Sequence, residues 1–200
     1  MTETVRSSQS IVVDPVRGTS GDERSASSEL RAIYLDQLPY VMSTLRRLGV
    51  GERDLEDITH DVFVTVHRRL PDYDRARPVR PWLFGIAYRA ASDYRRLARH
   101  RREDMDHEVD APDTSQPVDE RLDQAQQRSL LVAALQDVEL DRRAVLLMHD
   151  LDGIGVPEIA EQLGIPLNTA YSRLRLARKD LQIAVASRAP RERALPGGPS

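Results

Sequence analysis

Aspartate and histidine side chains at helical spacing are the first residues of this sequence that could do chemistry. Asp57, His60 and Asp61 lie at i, i+3 and i+4, so a helix would present them on one face, where they could bind a metal. His149-Asp150 repeats the His-Asp pair of His60-Asp61 further along the chain. Metal-dependent hydrolysis on a helical scaffold, as in phosphohydrolases, would need further histidine and aspartate ligands on other helices.

The rest of the sequence does not supply such a ligand set. His67 stands alone, and His100 and His107 flank the start of an acidic, proline-containing segment. The chain has no cysteine, so it has no thiolate ligand, thiol nucleophile or disulfide. We therefore interpret these side chains as polar helix surface. We expect no catalytic residue, no metal, no cofactor and no enzyme activity.

Arginine and aromatic side chains in residues 73–102 could instead bind a nucleic acid. Nine arginines lie in residues 75–102, and Tyr73, Trp82 and Tyr88 are interspersed with them. Single strands favour this combination, because cations contact phosphates while aromatic rings stack on bases. A solvated arginine face, with the aromatic rings tucked into a core, is the alternative that the pattern leaves open.

The segment VPEIAEQLGIPLNTAYSRLRLARKDL, residues 156–181, predicts two short helices joined by a sharp turn. Pro157 is tolerated in the first turn of a helix, and Gly164 permits the turn. The second helix would begin at Asn168 or Thr169. Its apolar stripe would be Ala170, Leu174, Ala177 and Leu181.

The opposite face of that second helix favours DNA over a merely solvated surface. Basic residues predominate on it, and short hydrogen-bonding side chains lie near its N-terminus, where base edges are met. The only acid there is Asp180, close to the helix end. The face comprises Asn168, Ser172, Arg175 and Lys179, with Tyr171 and Arg178 at its edge.

Apolar periodicity predicts helices on both sides of an acidic segment. A first helix would begin near Ser28, with Pro39 as a break or kink, and end at Gly49 and Gly51. Asp54 could cap a second helix. Residues 71–81 read as a loop, and 81–101 as a third helix. On that helix Leu83, Ile86, Ala87, Ala90, Tyr94 and Leu97 would share the apolar face, with Trp82 and Phe84 flanking the basic one.

The fold class expected is all-α, with two small helical domains joined by a flexible acidic linker. The linker, residues 103–123, holds nine acids against one arginine. Neither a membrane span nor a signal peptide is evident at a mean hydropathy of -0.50, so a cytoplasmic protein is expected. The predicted organisation is a tail at 1–27, domains at 28–102 and 124–185, the linker between them, and a second tail at 186–200.

Three strings carry a specific resemblance. EIAEQLGIPLNTAYSRLRLARKDL resembles region 4 of the extracytoplasmic-function sigma factors, within the sigma-70 family of bacterial RNA polymerase. DLEDITHDVFVTVHRRL and RPWLFGIAYRAASDYRRLARHRR resemble region 2 of the same family. At His60, Arg89 and 168–171 the chain has residues other than those common in the family. These positions lie at or near the binding faces, so the differences concern which promoter sequence is recognised.

The resemblance implies a sigma factor that binds core RNA polymerase, recognises -35 and -10 promoter elements and promotes DNA melting. Its partners would be the clamp of the largest subunit, the flap of the second-largest subunit, and promoter DNA, duplex and single-stranded. An anti-sigma factor, which many relatives have, is a further candidate partner. The -35 residues would be Asn168, Thr169, Tyr171, Ser172, Arg173, Arg175, Arg178 and Lys179. The -10 and melting residues would be Tyr73, Arg75, Arg77, Arg80, Trp82, Tyr88, Arg89, Ser92, Arg95, Arg96 and Arg99. The polymerase-binding residues would be Glu56, Asp57, His60 and Asp61.

A stand-alone helix-turn-helix regulator is the alternative function. Such a protein would bind duplex DNA tightly without polymerase. A single recognition helix per chain usually needs dimer symmetry for that, and the sequence shows no obvious dimerisation helix.

Overall fold

The computed structural model describes residues 19–104 and 121–188, all of whose regular elements are helices. None of these helices is both long enough and apolar enough to cross a lipid bilayer. Short 3-10 turns at Glu52–Asp54 and Leu70–Asp72 lie on either side of α2. The helices are α1 Thr19–Leu48, α2 Leu55–Arg69, α3 Val79–Asp104, α4 Arg121–Asp137, α5 Leu140–Leu146, α6 Val156–Leu163 and α7 Leu167–Arg188.

Helix α1 corrects two expectations from the sequence. It begins at Thr19 rather than near Ser28, so residues 19–27 are helical and not tail. Helices extend cheaply once a packed segment has nucleated them, and this stretch contains no proline. Pro39 does not break α1, which runs through it, and Val41 after it is fully buried in the core.

Helices α1, α2 and α3 form one bundle with an apolar centre. Its fully enclosed side chains include Val41 and Leu45 from α1, Val62 and Val66 from α2, and Leu83 from α3. The side chains from α1 and α2 belong to the apolar periodicity that predicts these helices, although Tyr34, which shares the α1 periodicity, is 40% exposed. Asp54 occupies the N-cap position of α2, as predicted, but its side chain does not cap the helix. It accepts a hydrogen bond from the Tyr94 hydroxyl at 2.8 Å instead.

The sequence predicts one apolar face on α3, but in the structure two sides of its first half are buried. Phe84 is only 1% exposed, although it was placed beside the basic face. Leu97, predicted to be in the core, is 54% exposed. In addition to α1 and α2, α6 packs on the first half of α3, where Gln162 of α6 lies beside Gly85.

The second bundle consists of α4 to α7. Gly164 ends α6 with a left-handed conformation, φ 66°, as the predicted sharp turn requires. Helix α7 begins at Leu167, one residue before the earlier of the two predicted starts, and packs against α4, α5 and α6. Between α5 and α6 the chain makes a π turn at Leu147–Leu151, where the Asp152 N–H donates to the Leu147 carbonyl at 3.2 Å.

The two bundles pack directly against each other and share one continuous core. Arg143 of α5 is fully buried between them and donates to the Arg47 carbonyl at the C-terminal end of α1, at 3.1 Å. Gln136 of α4 donates to the carbonyls of Arg46 and Arg47. The predicted linker lies largely outside the described residues. Its ends, 103–104 and 121–123, continue α3 and α4. Of the tails predicted at 1–27 and 186–200, residues 1–18 and 189–200 also lie outside the described residues, and residues 186–188 belong to α7 rather than to a tail.

Gly49 is the point at which α1 turns and the second bundle approaches. Its φ is 97°, and a Cβ there would lie 2.6 Å from the Gln136 Oε1 and 3.1 Å from an Arg143 nitrogen. Gly153 provides a matched control, since its φ of 69° is similarly unfavourable for an L side chain but nothing lies within 4 Å of its Cβ position.

We expect Gly153→Ala to cost about 1–2 kcal/mol through backbone strain alone. Gly49→Ala should cost about 1–2 kcal/mol more, because it also displaces the partly buried Gln136–Arg143 hydrogen bond. Thermal unfolding of the two variants checks this. Equal losses would show that Gln136 and Arg143 do not depend on contact with residue 49.

Candidate nucleic-acid interface

The face of α7 predicted to read DNA is solvent-exposed. Ala170, Leu174 and Ala177 are buried against the bundle, and Leu181 is half-buried. Tyr171 is 52% exposed, which is unusual for a large aromatic side chain without a role at an interface. The exposed residues are Asn168, Tyr171, Ser172, Arg175, Arg178 and Lys179, with Thr169 half-buried beside them.

The cationic side chains of this face differ in whether a carboxylate binds them. Arg178 donates twice to Asp150, at 2.6 and 3.1 Å, and this holds the pKa of that carboxyl below its ordinary value. Arg173 is turned away from the exposed face and donates to Asp141 of α5. Within residues 127–188 no carboxylate pairs with Arg175 or Lys179. These two cations are therefore the most available to an incoming phosphate or base.

The candidate -10 residues of α3 are split between two surfaces. Arg89, Arg96 and Arg99 are exposed, whereas Tyr88, Ser92 and Arg95 are half-buried. The Tyr88 hydroxyl faces the second bundle and donates to the Asp141 carboxylate at 2.5 Å. Burial and this hydrogen bond raise the pKa of Tyr88 to about 12.

The loop before α3 brings its aromatic side chains together. Tyr73 stacks on Trp82, with ring centroids 4.6 Å apart and an interplanar angle of 29°. The Tyr73 hydroxyl donates to the Arg77 carbonyl at 2.5 Å, which closes the loop on itself. Burial raises the pKa of Tyr73. The sequence predicted the presence of these rings but not their stacking.

Three arginines of this loop region are engaged by other helices. Arg75 donates to Glu29 of α1 at 2.7 and 2.9 Å. Arg77 donates to Glu161 of α6 at 2.7 Å. Arg80 lies over the ring of Tyr40, 5.1 Å from its centroid. The loop arginines thus form contacts with both bundles.

Tyr40 itself joins the bundles through a carboxylate that follows the π turn. Its hydroxyl donates to Asp152 at 2.6 Å. Burial raises the pKa of the Asp152 carboxyl, and burial likewise raises the pKa of Tyr40. This contact keeps α1 next to the chain segment between α5 and α6.

The predicted polymerase face on α2 is exposed at all four of its residues, Glu56, Asp57, His60 and Asp61. Asp57 and Asp61 line a groove of about 690 Å³ between α2 and α3. Arg89, assigned from the sequence to DNA, lines the same groove. No group of histidine and acidic side chains in the described ranges is arranged to hold a metal ion.

Sequence reasoning missed the residues that join the two bundles: Gln136, Asp141, Arg143, Asp152 and Glu161. Arg143 is the last of three consecutive charged residues in LDRRAVLLM, residues 140–148, so nothing in the sequence distinguished it from its charged neighbours. The acids carried no signal either, because an acid on a helix is usually solvated.

Comparison with known proteins identifies the two bundles. The family model "Sigma-70 region 2" matches residues 33–102, and "Sigma-70, region 4" matches residues 128–181. The sigma factor NccH of Alcaligenes xylosoxydans xylosoxydans is 30% identical over 150 residues, covering 71% of this chain and 78% of NccH. SigL, an extracytoplasmic-function (ECF) sigma factor of Mycobacterium tuberculosis, is 28% identical over 83% of this chain and 94% of SigL. The chain is an ECF sigma factor of the sigma-70 family. We call its first bundle region 2 and its second region 4.

Solved sigma-factor structures have the same fold as this sigma factor. CnrH, solved with the cytosolic domain of CnrY, superposes with a TM-score of 0.57 at 25% identity, covering 84% of this chain and 96% of CnrH. RpoE of Bartonella quintana, solved with the anti-sigma factor NepR, gives a TM-score of 0.64 at 20% identity, covering 80% and 98%. The predicted all-α fold with two helical units is confirmed.

Proposed function

We propose that this sigma factor binds core RNA polymerase, directs it to -35 and -10 promoter elements and promotes melting of the DNA. The exposed, cation-bearing face of α7 is the observation that supports this best. A stand-alone regulator is not favoured, because the chain carries both region 2 and region 4 in the family's order. Sigma factors are regulatory proteins, so we propose no catalytic role. We place its action in the cytoplasm, where bacterial polymerase meets the chromosome.

In our proposal region 4 recognises the -35 element through the N-terminal half of α7. Asn168, Thr169, Tyr171, Ser172 and Arg175 would meet base edges, since they lie nearest the start of the recognition helix. Arg178 and Lys179, further along, would contact phosphates. Arg173 forms an ion pair with Asp141 of α5, so a DNA contact by this residue would require it to leave that carboxylate.

Arg175→Ala should weaken holoenzyme binding to a matched -35 element by about 1–3 kcal/mol and relax the preference at one base pair. Lys179→Ala is the control, because loss of a phosphate contact weakens binding to all sequences alike. Competition binding with matched and scrambled -35 duplexes measures both. An equal loss on the two duplexes for Arg175→Ala would show that Arg175 contacts no base.

We propose that region 2 binds the -10 element with the loop 73–78 and the exposed side of α3. Extruding a base from duplex DNA costs a few kcal/mol, so a protein ring must replace the lost stacking. The Tyr73–Trp82 pair offers such a surface, and Arg75, Arg77 and Arg80 lie in the same segment to bind the backbone. Arg89, Arg96 and Arg99 extend the cationic surface along α3.

Trp82→Ala should reduce run-off transcription from a duplex promoter more than from a template already open at the -10 element. The open template does not require the unstacking energy that the ring helps to supply. Trp82→Phe retains a stacking face and should restore most of the difference. Equal defects of Trp82→Ala on both templates would exclude a role in melting.

We infer that the polymerase clamp binds the acidic face of α2. Asp57 and Asp61 sit in the α2–α3 groove beside exposed Leu97, so an incoming helix would meet an apolar strip as well as charge. Opposite charge across such a contact speeds association and fixes orientation.

For region 4 we propose the polymerase flap as partner. Because NepR is named as an anti-sigma factor for a protein of the same fold, an anti-sigma factor is a further proposed partner.

Run-off transcription with core polymerase, on the DNA upstream of this protein's own gene, tests the function. We expect a transcript only when the sigma factor is present. The double variant Asp57→Arg, Asp61→Arg should abolish it and weaken core binding, and Asp57→Asn, Asp61→Asn should fall between, because the contact depends on charge. Circular dichroism controls for folding. Unchanged core affinity of the folded arginine variant would refute the α2 assignment.

A further inference from the structure

An ion pair from outside the helix-turn-helix constrains one of the cations proposed to contact DNA phosphates. Arg178 of α7 donates to both oxygens of Asp150, through Nε at 3.1 Å and through Nη2 at 2.6 Å. Side-by-side donation of this kind fixes the plane of the guanidinium as well as its position. Nη1 takes no part in the pair and lies on the opposite edge of the guanidinium. About half of the Arg178 side chain is exposed, so its Nη1 edge can bind a second acceptor.

The carboxylate is itself held in place by the π turn. Asp150 lies within Leu147–Leu151, and the first two residues of that turn are buried in the core. The neighbouring His149 contacts Asp150 Oδ1 through Nδ1 at 2.7 Å, and the same nitrogen lies 3.3 Å from Arg178 Nη2. The acid that binds Arg178 therefore belongs to a segment that the core anchors, and a second side chain holds it.

The place of Arg178 along α7 suits a phosphate contact. Arg178 shares a face of the helix with Tyr171 and Arg175, because these positions follow one another at intervals of four and three residues. At a rise of about 1.5 Å per residue, it lies about 15 Å along the axis from Asn168. The major groove is about 12 Å wide. A helix whose N-terminal residues meet the bases therefore brings Arg178 to the phosphate backbone.

The carboxylate of Asp150 could act on DNA binding in two opposite ways. A carboxylate that only neutralises Arg178 would compete with phosphates and repel them, so its removal would strengthen binding. A carboxylate that orients the guanidinium lowers the entropy cost of ordering a long side chain in the complex. The geometry favours orientation, because Arg178 can bind a phosphate through Nη1 without leaving Asp150. Solvent also weakens the repulsion between Asp150 and a phosphate on the far side of the guanidinium.

We propose that Asp150 is a positioning residue for the -35 contact, which holds Arg178 in one orientation so that the Nη1 edge of its guanidinium donates to a DNA phosphate. The π turn thereby contributes to promoter binding although it lies outside the helix-turn-helix. This inference rests on the proposed phosphate contact of Arg178. Loss of an acid close to DNA ordinarily strengthens binding, whereas loss of Asp150 should weaken it.

The first test measures competition binding of the holoenzyme to duplex DNA from upstream of this protein's own gene. Asp150→Ala should bind about fivefold more weakly than wild type, as expected when a long side chain must be ordered on binding. In an Arg178→Ala background the same change should cause no further loss, because no guanidinium is left to orient. The matched control Asp180→Ala also removes an acid that binds an arginine, Arg142 at 2.8 Å, and should not weaken binding.

Unchanged or tighter binding by Asp150→Ala would overturn the proposal. A loss that persists in the Arg178→Ala background, or that Asp180→Ala reproduces, would overturn it as well. If Arg178→Ala itself binds DNA as wild type does, the proposed phosphate contact is wrong and the positioning role fails with it. Run-off transcription by the wild-type protein is scored separately, so the sigma-factor function stands or fails independently of these outcomes.

The second test measures the order of the guanidinium directly, in the free full-length chain. Nitrogen-15 relaxation of the arginine Nε–H groups should give Arg178 an order parameter of about 0.85, the value of rigid backbone. Arg175, which no carboxylate binds within residues 127–188, should fall below about 0.6. Asp150→Asn keeps the shape of the side chain without its charge and should lower the Arg178 value towards that of Arg175. Equal order parameters of the two arginines in the wild-type chain would contradict positioning.

Discussion

The arrangement of the two regions depends on the buried guanidinium of Arg143. A charge removed from water costs several kcal/mol unless its hydrogen-bonding capacity is filled. The last four carbonyls of a helix have no partner within that helix, and the end of α1 presents such groups at Arg46 and Arg47. The guanidinium donates to the Arg47 carbonyl, Gln136 donates to the Arg46 carbonyl, and the negative end of the α1 dipole favours the cation. Separating the regions therefore exposes both sets of groups to water.

Acids of region 4 pair with cations and hydroxyl groups of region 2 and of α7. Glu161 accepts from Arg77, Asp141 accepts from Tyr88 and Arg173, and Asp150 accepts from Arg178. The net charge of -3 therefore does not describe the surface of any one helix. On α7, Arg175 and Lys179 have no carboxylate partner within residues 127–188.

The parts that sequence could predict are those set by local periodicity. The stripes of α1, α2 and α7, the turn at Gly164 and the exposed face around Arg175 follow from a 3.6-residue repeat and short-range sterics. The early start of α1, the burial of Phe84 and the inward direction of Tyr88 depend on which helix packs against which. Arg143 was missed because its residue type normally indicates surface, and only the end of a helix 96 positions earlier makes its burial tolerable. The site residues assigned from the family resemblance remain predictions.

The π turn at Leu147–Leu151 has a consequence for how related chains could differ. A π turn contains one residue more than an α-helical turn, so it rotates the residues that follow it about the helix axis. In this chain the shift turns Leu151 to solvent and brings Asp152 to Tyr40. Removing one residue would restore α-helical pitch and rotate the following position by about 100° around the helix axis. A single-codon deletion there would break the Tyr40–Asp152 contact between α1 and region 4 while leaving every residue of the recognition helix unchanged.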